Sequence, residues 1–150
     1  MSARGFALVE LMVVLGIAGA LAALVAPTLS SYARTAALQA AARELAASIN
    51  LGRQIAISRN TTVCVELASA TNIRLRTGGC GGAAWTGSGT DGSGAIRVSD
   101  SAALRISGSA HVVFTSLGAA SPAGHYTLTH AVSNGMRTVV VAATGRVSVR

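Results

Sequence analysis

The stretch GFALVELMVVL, residues 5–15, opens a long apolar segment near the start of the chain. Glu10 is its only charged residue, and no charged side chain occurs from Leu11 to Leu29. At 1.5 Å per residue, a helix over that run is roughly 28 Å long, which matches the hydrocarbon core of a bilayer. The sequence therefore predicts a membrane-spanning helix over residues 6–29, with residues 30–150 outside the membrane.

A cleaved secretory signal peptide is the alternative interpretation of this segment. Ala18-Gly19-Ala20 and Ala20-Leu21-Ala22 have the small-residue spacing that signal peptidase accepts. Two features favour a retained helix instead: the region before the apolar run is very short, and Glu10 places a costly carboxylate inside the run. Arg4 precedes the helix, which favours a cytoplasmic N-terminus, with the rest of the chain on the other side of the membrane.

The composition of the whole chain argues against an enzyme. Only 11% of the 150 residues are charged, against about 25% in an ordinary soluble domain. Twelve basic residues, all of them arginine, outnumber five acidic ones and give a net charge of +7. The five acids and three histidines form no recognisable hydrolase, zinc-protease or nucleotide-binding motif. We therefore predict no catalytic residues, no metal site and no cofactor.

The hydrophobic period changes near Asn60. Before it, apolar or small residues recur at helical spacing, which predicts one long helix to about Ser58 with a kink near Pro27. After it, alternation with period two predicts an antiparallel sheet, so the fold class is α+β. The small-residue face of the helix predicts a close approach to that sheet. The helical stripe comprises Leu38, Ala42, Leu45, Ile49, Gly52 and Ala56, and the predicted strands are 61–67, 72–77, 104–106, 111–115, 125–131, 137–143 and 146–150.

A glycine-rich segment separates the second and third predicted strands. Residues 78–94 combine Gly, Ser and Thr, which predicts a loop. Trp85 is expected to anchor this loop to the core, and an exposed contact residue is the alternative. Cys64 and Cys80 both lie beyond the apolar run, in an oxidising compartment if that run spans the membrane. A disulfide between them would contribute about 3 kcal/mol by the loop-entropy argument. Two buried free thiols are the alternative.

The stretch 5–15 resembles the prepilin signature of type IV pilins and type II secretion pseudopilins. The resemblance implies that a prepilin peptidase removes residues 1–5 by cutting between Gly5 and Phe6. Phe6 would become the N-methylated first residue, and the helix that follows would form the filament core. Glu10 falls where this family places its carboxylate. An intramembrane carboxylate needs a partner, and the amine of Phe6 on a neighbouring subunit would supply one.

The remainder of the chain extends the resemblance to the GspH/FimT family. LGRQIAISRNTTVC at residues 51–64 is similar to the junction between helix and first strand in that family, and GRVSVR at residues 145–150 is similar to its last strand. The resemblance implies a pilin-like fold, with a long N-terminal helix packed on an antiparallel β-sheet, and other pilins or pseudopilins as partners. We expect a minor subunit that acts in assembly at the tip of a type IV pilus. The minor pseudopilin of type II secretion is the first alternative.

A dedicated DNA-uptake module is the second alternative. Some FimT-type minor pilins bind DNA through arginines of a C-terminal G-R-x-R motif, of which Gly145 and Arg146 match, while Ser148 stands where the next arginine is expected. Arg146 and Arg150 share one face of the predicted last strand. A tight hairpin turn at Thr144-Gly145 would bring Arg137 close to Arg150. The sequence thus predicts a weak, electrostatic DNA site at Arg137, Arg146 and Arg150; ordinary surface charge is the competing interpretation.

Overall fold

A computed structural model describes residues 3–99, 101 and 103–150 of the chain, with the side chains of 3–7 and 24–27 outside that description. The chain divides into two compact units, Met1–Thr35 and Ala36–Arg150. The first is entirely helical where it is described. The second contains the end of the same helix and all the strands. The predicted limit of the membrane segment at residue 29 and the kink at Pro27 stay predictions.

Helix α1 runs from Ala3 to Ser58, and its C-terminal end confirms the change of period seen in the sequence. Asn60 adopts a left-handed conformation with φ of 47°. The Thr61 N–H then donates to the Ala56 carbonyl at 3.0 Å, and the Asn60 N–H donates to the Ile57 carbonyl at 3.2 Å. These two bonds form a Schellman cap, in which asparagine is one of the few residues that tolerate the left-handed position.

The predicted stripe of α1 is the face that packs on the strands. All six of its residues are buried, with Ala42, Leu45, Ile49 and Ala56 completely inaccessible to solvent. Gly52 explains the close approach: a β-carbon there would lie 3.1 Å from Leu75 and 3.2 Å from Val65. Even a β-carbon at this position would therefore require the Leu75 and Val65 side chains to shift slightly. The expected close packing of helix and sheet is therefore confirmed.

The strands form two antiparallel sheets, whereas the sequence predicted one. We call them sheet A, with the order β3-β2-β1-β6 and β4 also paired to β2, and sheet B, with the order β5-β7-β8-β9. Two short strands, β3 and β4, flank or lie within the predicted glycine-rich loop. The strands are β1 (Val63–Leu67), β2 (Asn72–Thr77), β3 (Ala83–Ala84), β4 (Ala95–Arg97), β5 (Leu104–Gly108), β6 (His111–Phe114), β7 (Gly124–His130), β8 (Met136–Val141) and β9 (Val147–Val149).

Tyr126 joins the two sheets through the core. Its ring is fully buried on β7, and its hydroxyl donates to the Val65 carbonyl on β1 at 3.0 Å. Burial raises the pKa of the Tyr126 phenol, so the hydroxyl stays protonated and remains a donor. With few aromatic residues in the chain, Tyr126 and Phe114 are the largest fully buried side chains among those described, and they fill the space between the sheets.

Candidate functional site

The N-terminal part of α1 exposes its apolar surface. Every side chain from residue 8 to residue 23 is exposed, including Leu11, Met12 and Leu21 at 59%, 67% and 60%. By length and composition this helix could cross a membrane. Glu10 is exposed among these residues, and no ion pair to it occurs within the described part of the chain. The side chains of Gly5 and Phe6 lie outside the described residues, so the processing site stays a prediction.

The two cysteines form a disulfide. Cys64 on β1 and Cys80 in the loop after β2 are bonded, with their Cα atoms 5.0 Å apart and 16 positions apart in sequence. This confirms the favoured prediction over two free thiols. Cys64 is fully buried whereas Cys80 is exposed, so the bond ties the glycine-rich loop to β1, an interior strand of sheet A.

The face of sheet A that points away from α1 carries an arginine–glutamate cluster. Glu66 lies opposite Arg74 in the register of β1 and β2. Its Oε1 atom accepts from Arg76 Nε at 2.8 Å and from Arg74 Nη1 at 3.3 Å. All three side chains are about three-quarters buried, at 24% to 27% exposure. The cluster therefore holds two arginines with one carboxylate, away from bulk water.

The glycine-rich loop packs over this cluster. Arg76 Nη1 donates to the Gly82 carbonyl at 3.0 Å, and Trp85 packs against the hydrophobic core, as the sequence predicted. A β-carbon at Gly87 would collide with the Trp85 ring, so only glycine lets the chain cross that ring. Farther along, Asp91 Oδ1 accepts from the Ser93 hydroxyl at 2.7 Å and from the N–H of Ala95 at 2.9 Å. These hydrogen bonds lower the pKa of Asp91.

The outer face of sheet B is basic. Arg105 on β5 is exposed, as are Arg146 and Arg150 on either side of β9. The strands of sheet B contain no acidic residue, and within the described part of the chain no ion pair involves these three arginines. Thr127 and Thr138 lie between them and face each other, with their hydroxyl oxygens 3.3 Å apart. We call this surface the sheet B arginine face.

Arg137 does not belong to the sheet B arginine face, contrary to the sequence prediction. The backbone groups of Thr138 and Arg150 exchange two hydrogen bonds of 2.8 Å, so these two residues are directly opposite. Arg137 is therefore on the other side of β8, the side of the fully buried Val139. The length of the β8–β9 turn is the reason for this difference from the prediction. Ala142 and Arg146 close a three-residue loop that ends in Gly145 at φ of 79°, where a two-residue turn was predicted.

Gly145 allows the β8–β9 turn to pack closely against Gly118. A β-carbon at Gly145 would collide with the Gly118 carbonyl oxygen, and one at Gly118 would lie 2.8 Å from Ile57. Arg53 on α1 donates from Nε to that Gly118 carbonyl at 2.9 Å. The end of α1, the turn at 115–119 and the β8–β9 turn thus meet at one junction. Sequence reasoning missed this junction, because nothing in a single sequence pairs two distant glycines.

Side chains that could bind a metal ion do not cluster among the residues that the structure describes. Groups of three or more His, Cys, Asp or Glu side chains suited to a metal ion are absent there. The three histidines lie in strands, as predicted. His130 is buried and accepts N–H bonds from Val132 and Ser133 at its Nδ1 atom. A cavity of about 200 Å³ between α1 and the glycine-rich loop is lined by Glu44, Ser48 and Arg97 among others.

Comparisons with known proteins bear on the same part of the chain. A family model described as type II transport protein GspH matches residues 41–145. A crystal structure of the type IV minor pilin FimU from Pseudomonas aeruginosa strain PAO1 superposes with a TM-score of 0.58 at 18% identity, covering 75% of this chain and 87% of that one. FimU in a second crystal form gives a TM-score of 0.53, also at 18% identity, covering 75% and 92%. No curated protein matches the sequence. The likeness to FimU shows the fold.

Proposed function

This chain belongs to the GspH family, and we propose that it is a minor subunit of a type IV pilus that acts in filament assembly at the tip. The proposal rests on a domain and a preceding apolar helix that occur in one chain. Residues 41–145 form the family's domain, and a helix with a fully exposed apolar surface over residues 8–23 precedes it. Such a surface requires cover, first by lipid and then by the helices of neighbouring subunits.

Glu10 is the polar group of that surface and the assembly residue in this proposal. A carboxylate within a membrane is expensive unless it finds a cation. The α-amine created by cleavage between Gly5 and Phe6 would provide that cation on an adjacent subunit. The partners are then a prepilin peptidase during maturation, the inner membrane before assembly, and other pilins in the filament, with the C-terminal domain in the periplasm.

Mass spectrometry of the protein from its native host tests the processing step. We expect a chain that begins at Phe6 and carries one extra methyl group on its amine. A Gly5→Val variant should keep its first residues because the peptidase requires the small residue before the cut. A chain that begins near Ala23 would instead indicate signal peptidase and would overturn the proposal.

Filament incorporation tests Glu10. Glu10→Ala should insert into the membrane at least as well as the wild type, because a costly charge has been removed, and it should be depleted from sheared filaments. Glu10→Asp should retain partial incorporation, and Glu44→Ala, which removes an exposed glutamate beyond the apolar surface, should behave as the wild type. Normal incorporation of Glu10→Ala would contradict the role.

The type II secretion system is the alternative machine for the same subunit. The family model is described by type II transport, whereas the solved relative is a type IV minor pilin. A deletion strain separates the two. Loss of surface pili with normal export of secreted enzymes supports the pilus, and the reverse result assigns the protein to the type II pseudopilus.

The sheet B arginine face favours DNA binding as a second function of the same subunit. Arg146 and Arg150 are roughly 13 Å apart along one strand, and Arg105 is on the far edge of the sheet, roughly 14 Å across three strand spacings. Guanidinium groups at these spacings would contact separate phosphates. The face carries no Trp, Tyr or Phe on which bases could stack, so binding would be electrostatic and independent of sequence.

A further inference from the structure

Leu117 is the most exposed of the large apolar side chains in the described residues, at 89%. It lies at the apex of the turn 115–119, which follows β6. Exposed single leucines are common on protein surfaces. This one differs because Ile57, at 48% exposure, lies at the base of the same turn, where a β-carbon on Gly118 would lie 2.8 Å from its Cδ1 atom. The end of α1 and the turn together present two apolar side chains to solvent.

The turn that carries Leu117 is held rigidly. The Thr115 N–H donates to the Ala119 carbonyl and the Gly118 N–H donates to the Thr115 carbonyl, both at 2.8 Å. Arg53 fixes the turn to α1 through the Gly118 carbonyl at 2.9 Å. The Ala120 N–H donates to the Ala143 carbonyl at 2.9 Å, which joins the turn to the β8–β9 hairpin. An apolar side chain on a pre-organised turn loses little entropy when it binds.

Arginine is the charged residue that contacts this turn, and arginines also follow closely along the chain from Ile57 and from Gly145. Arg53 contacts the turn, Arg59 follows Ile57 by two positions, and Arg146 follows the glycine that packs on Gly118. Arg59 and Arg146 are exposed. Exposed apolar side chains beside arginine suit a protein–protein interface, because the buried centre of an interface is apolar and arginine is enriched there. The charged backbone of a nucleic acid provides no apolar surface against which two aliphatic side chains could pack.

We propose that Leu117 and Ile57, with Arg53, Arg59 and Arg146 around them, dock into an apolar socket on the acidic face of a different subunit of the same filament. This deepens the proposed function and rests on it. The described part of a second copy of this chain lacks a suitable acidic face. Glu66 already binds two arginines, Asp91 is engaged by Ser93 and Ala95, and Glu10 belongs to the apolar surface of α1. Of the described acidic residues, only Glu44 remains that could face these arginines on a second copy.

Site-specific photocrosslinking of the full chain in its host tests the proposal. A photoreactive amino acid replaces Leu117, and, as the matched control, Val132, which is 65% exposed in the turn after β7. We expect a crosslinked product at position 117, at least tenfold above that at 132, whose partner carries its own prepilin signature and is joined through a peptide rich in Asp or Glu. Arg59→Glu should reduce that product severalfold, because it places like charges opposite each other.

Three results would overturn the proposal: a product that contains a second copy of this chain, a product that contains lipid or nucleic acid, or no excess over position 132. A further variant distinguishes docking from folding. Leu117→Asp should leave the melting temperature of the full chain in detergent unchanged, because the side chain is exposed, while recovery in sheared filaments falls about tenfold. Unchanged recovery of Leu117→Asp would also overturn it. If Phe6 is still the methylated first residue and the wild type still enters filaments, the proposed function stands even when the docking surface fails.

Discussion

The arginines on the outer faces of the two sheets differ in burial and in ion pairing. On the outer face of sheet A, Arg74 and Arg76 share the carboxylate of Glu66 and lie about three-quarters buried beneath a disulfide-tethered loop. On the outer face of sheet B, Arg105, Arg146 and Arg150 are exposed beside serine and threonine. The same residue type therefore stabilises the fold in one sheet and is available to a partner in the other. Net charge alone does not distinguish these uses, whereas the position of the few acids does.

Removing the disulfide should have the largest effect on sheet A. A Cys64→Ala/Cys80→Ala variant of the fragment 30–150 should lose about 3 kcal/mol of unfolding free energy, because the unfolded chain has more conformational entropy without the cross-link. Denaturant titration measures the loss. Reductant should destabilise the wild type by a similar amount and leave the variant unaffected. Equal stability of the two proteins would show that the loop packs over sheet A without its tether.

Neutralising Glu66 should have the next largest effect. Glu66→Gln keeps an acceptor oxygen and nearly the same shape but removes the carboxylate charge that Arg74 and Arg76 share. We expect a loss of about 2 kcal/mol in unfolding free energy, within the range for hydrogen bonds to charged groups. Arg105→Gln is the matched control on sheet B and should change stability by less than about 0.5 kcal/mol. Equal losses in the two variants would remove the distinction between the faces.

DNA binding should respond only to the sheet B arginine face. With three phosphate contacts, log affinity of the fragment 30–150 for duplex DNA should fall against log salt with a slope of about −2.7. Arg146→Gln/Arg150→Gln should reduce the slope to about −0.9 and weaken binding about a hundredfold near ~0.1 M salt, since two contacts are lost. Titration at several salt concentrations measures both values.

Arg137→Gln is the internal control for that experiment. Arg137 lies on the opposite side of β8 from Arg150, so its loss should change the salt slope much less than the loss of either face residue. Equal binding by the wild type and the double variant would assign the basic face to ordinary surface charge. An Arg137→Gln effect as large as that of Arg146→Gln would instead contradict the register assigned to the hairpin.

The sequence predicted what depends on local periodicity and missed what depends on register. The end of α1 at Ser58, the buried stripe and most strands follow from repeats of three to four residues or of two. Arg137 shows the limit. A two-residue turn at Thr144-Gly145 would place it on the same face as Arg150, but the observed three-residue turn shifts the pairing by one residue and reverses the side. The length of a turn is set by contacts at its base, here between Gly145 and Gly118, which no local pattern encodes.

The Glu66 cluster was missed for the same reason. Alternation placed Arg74 and Arg76 on one face of β2, but only the pairing of β1 with β2 brings Glu66 opposite them. Likewise, the division into two sheets follows from which strands pair, and β6 returns to β1 although β5 precedes it in the chain. Short strands such as β3 in the glycine-rich loop exist because β2 offers them backbone partners, not because their own sequence favours a strand.

Asp91 should give the smallest effect, and its sign depends on pH. Hydrogen bonds from Ser93 and Ala95, with a lesser contribution from the charge of Arg74, lower its pKa from the ordinary 3.8 in the folded protein. A lowered pKa contributes stability that is present above pH 3.8 and is lost as the pH falls through the folded value. Asp91→Asn keeps the acceptor oxygen and removes only the charge. The wild type should therefore be slightly more stable than Asp91→Asn at pH 7, and the difference should shrink as the pH falls below 3.8, as measured by thermal unfolding of the fragment 30–150. A difference in stability that persists in acid would mean that the negative charge of Asp91 is not the cause of the difference.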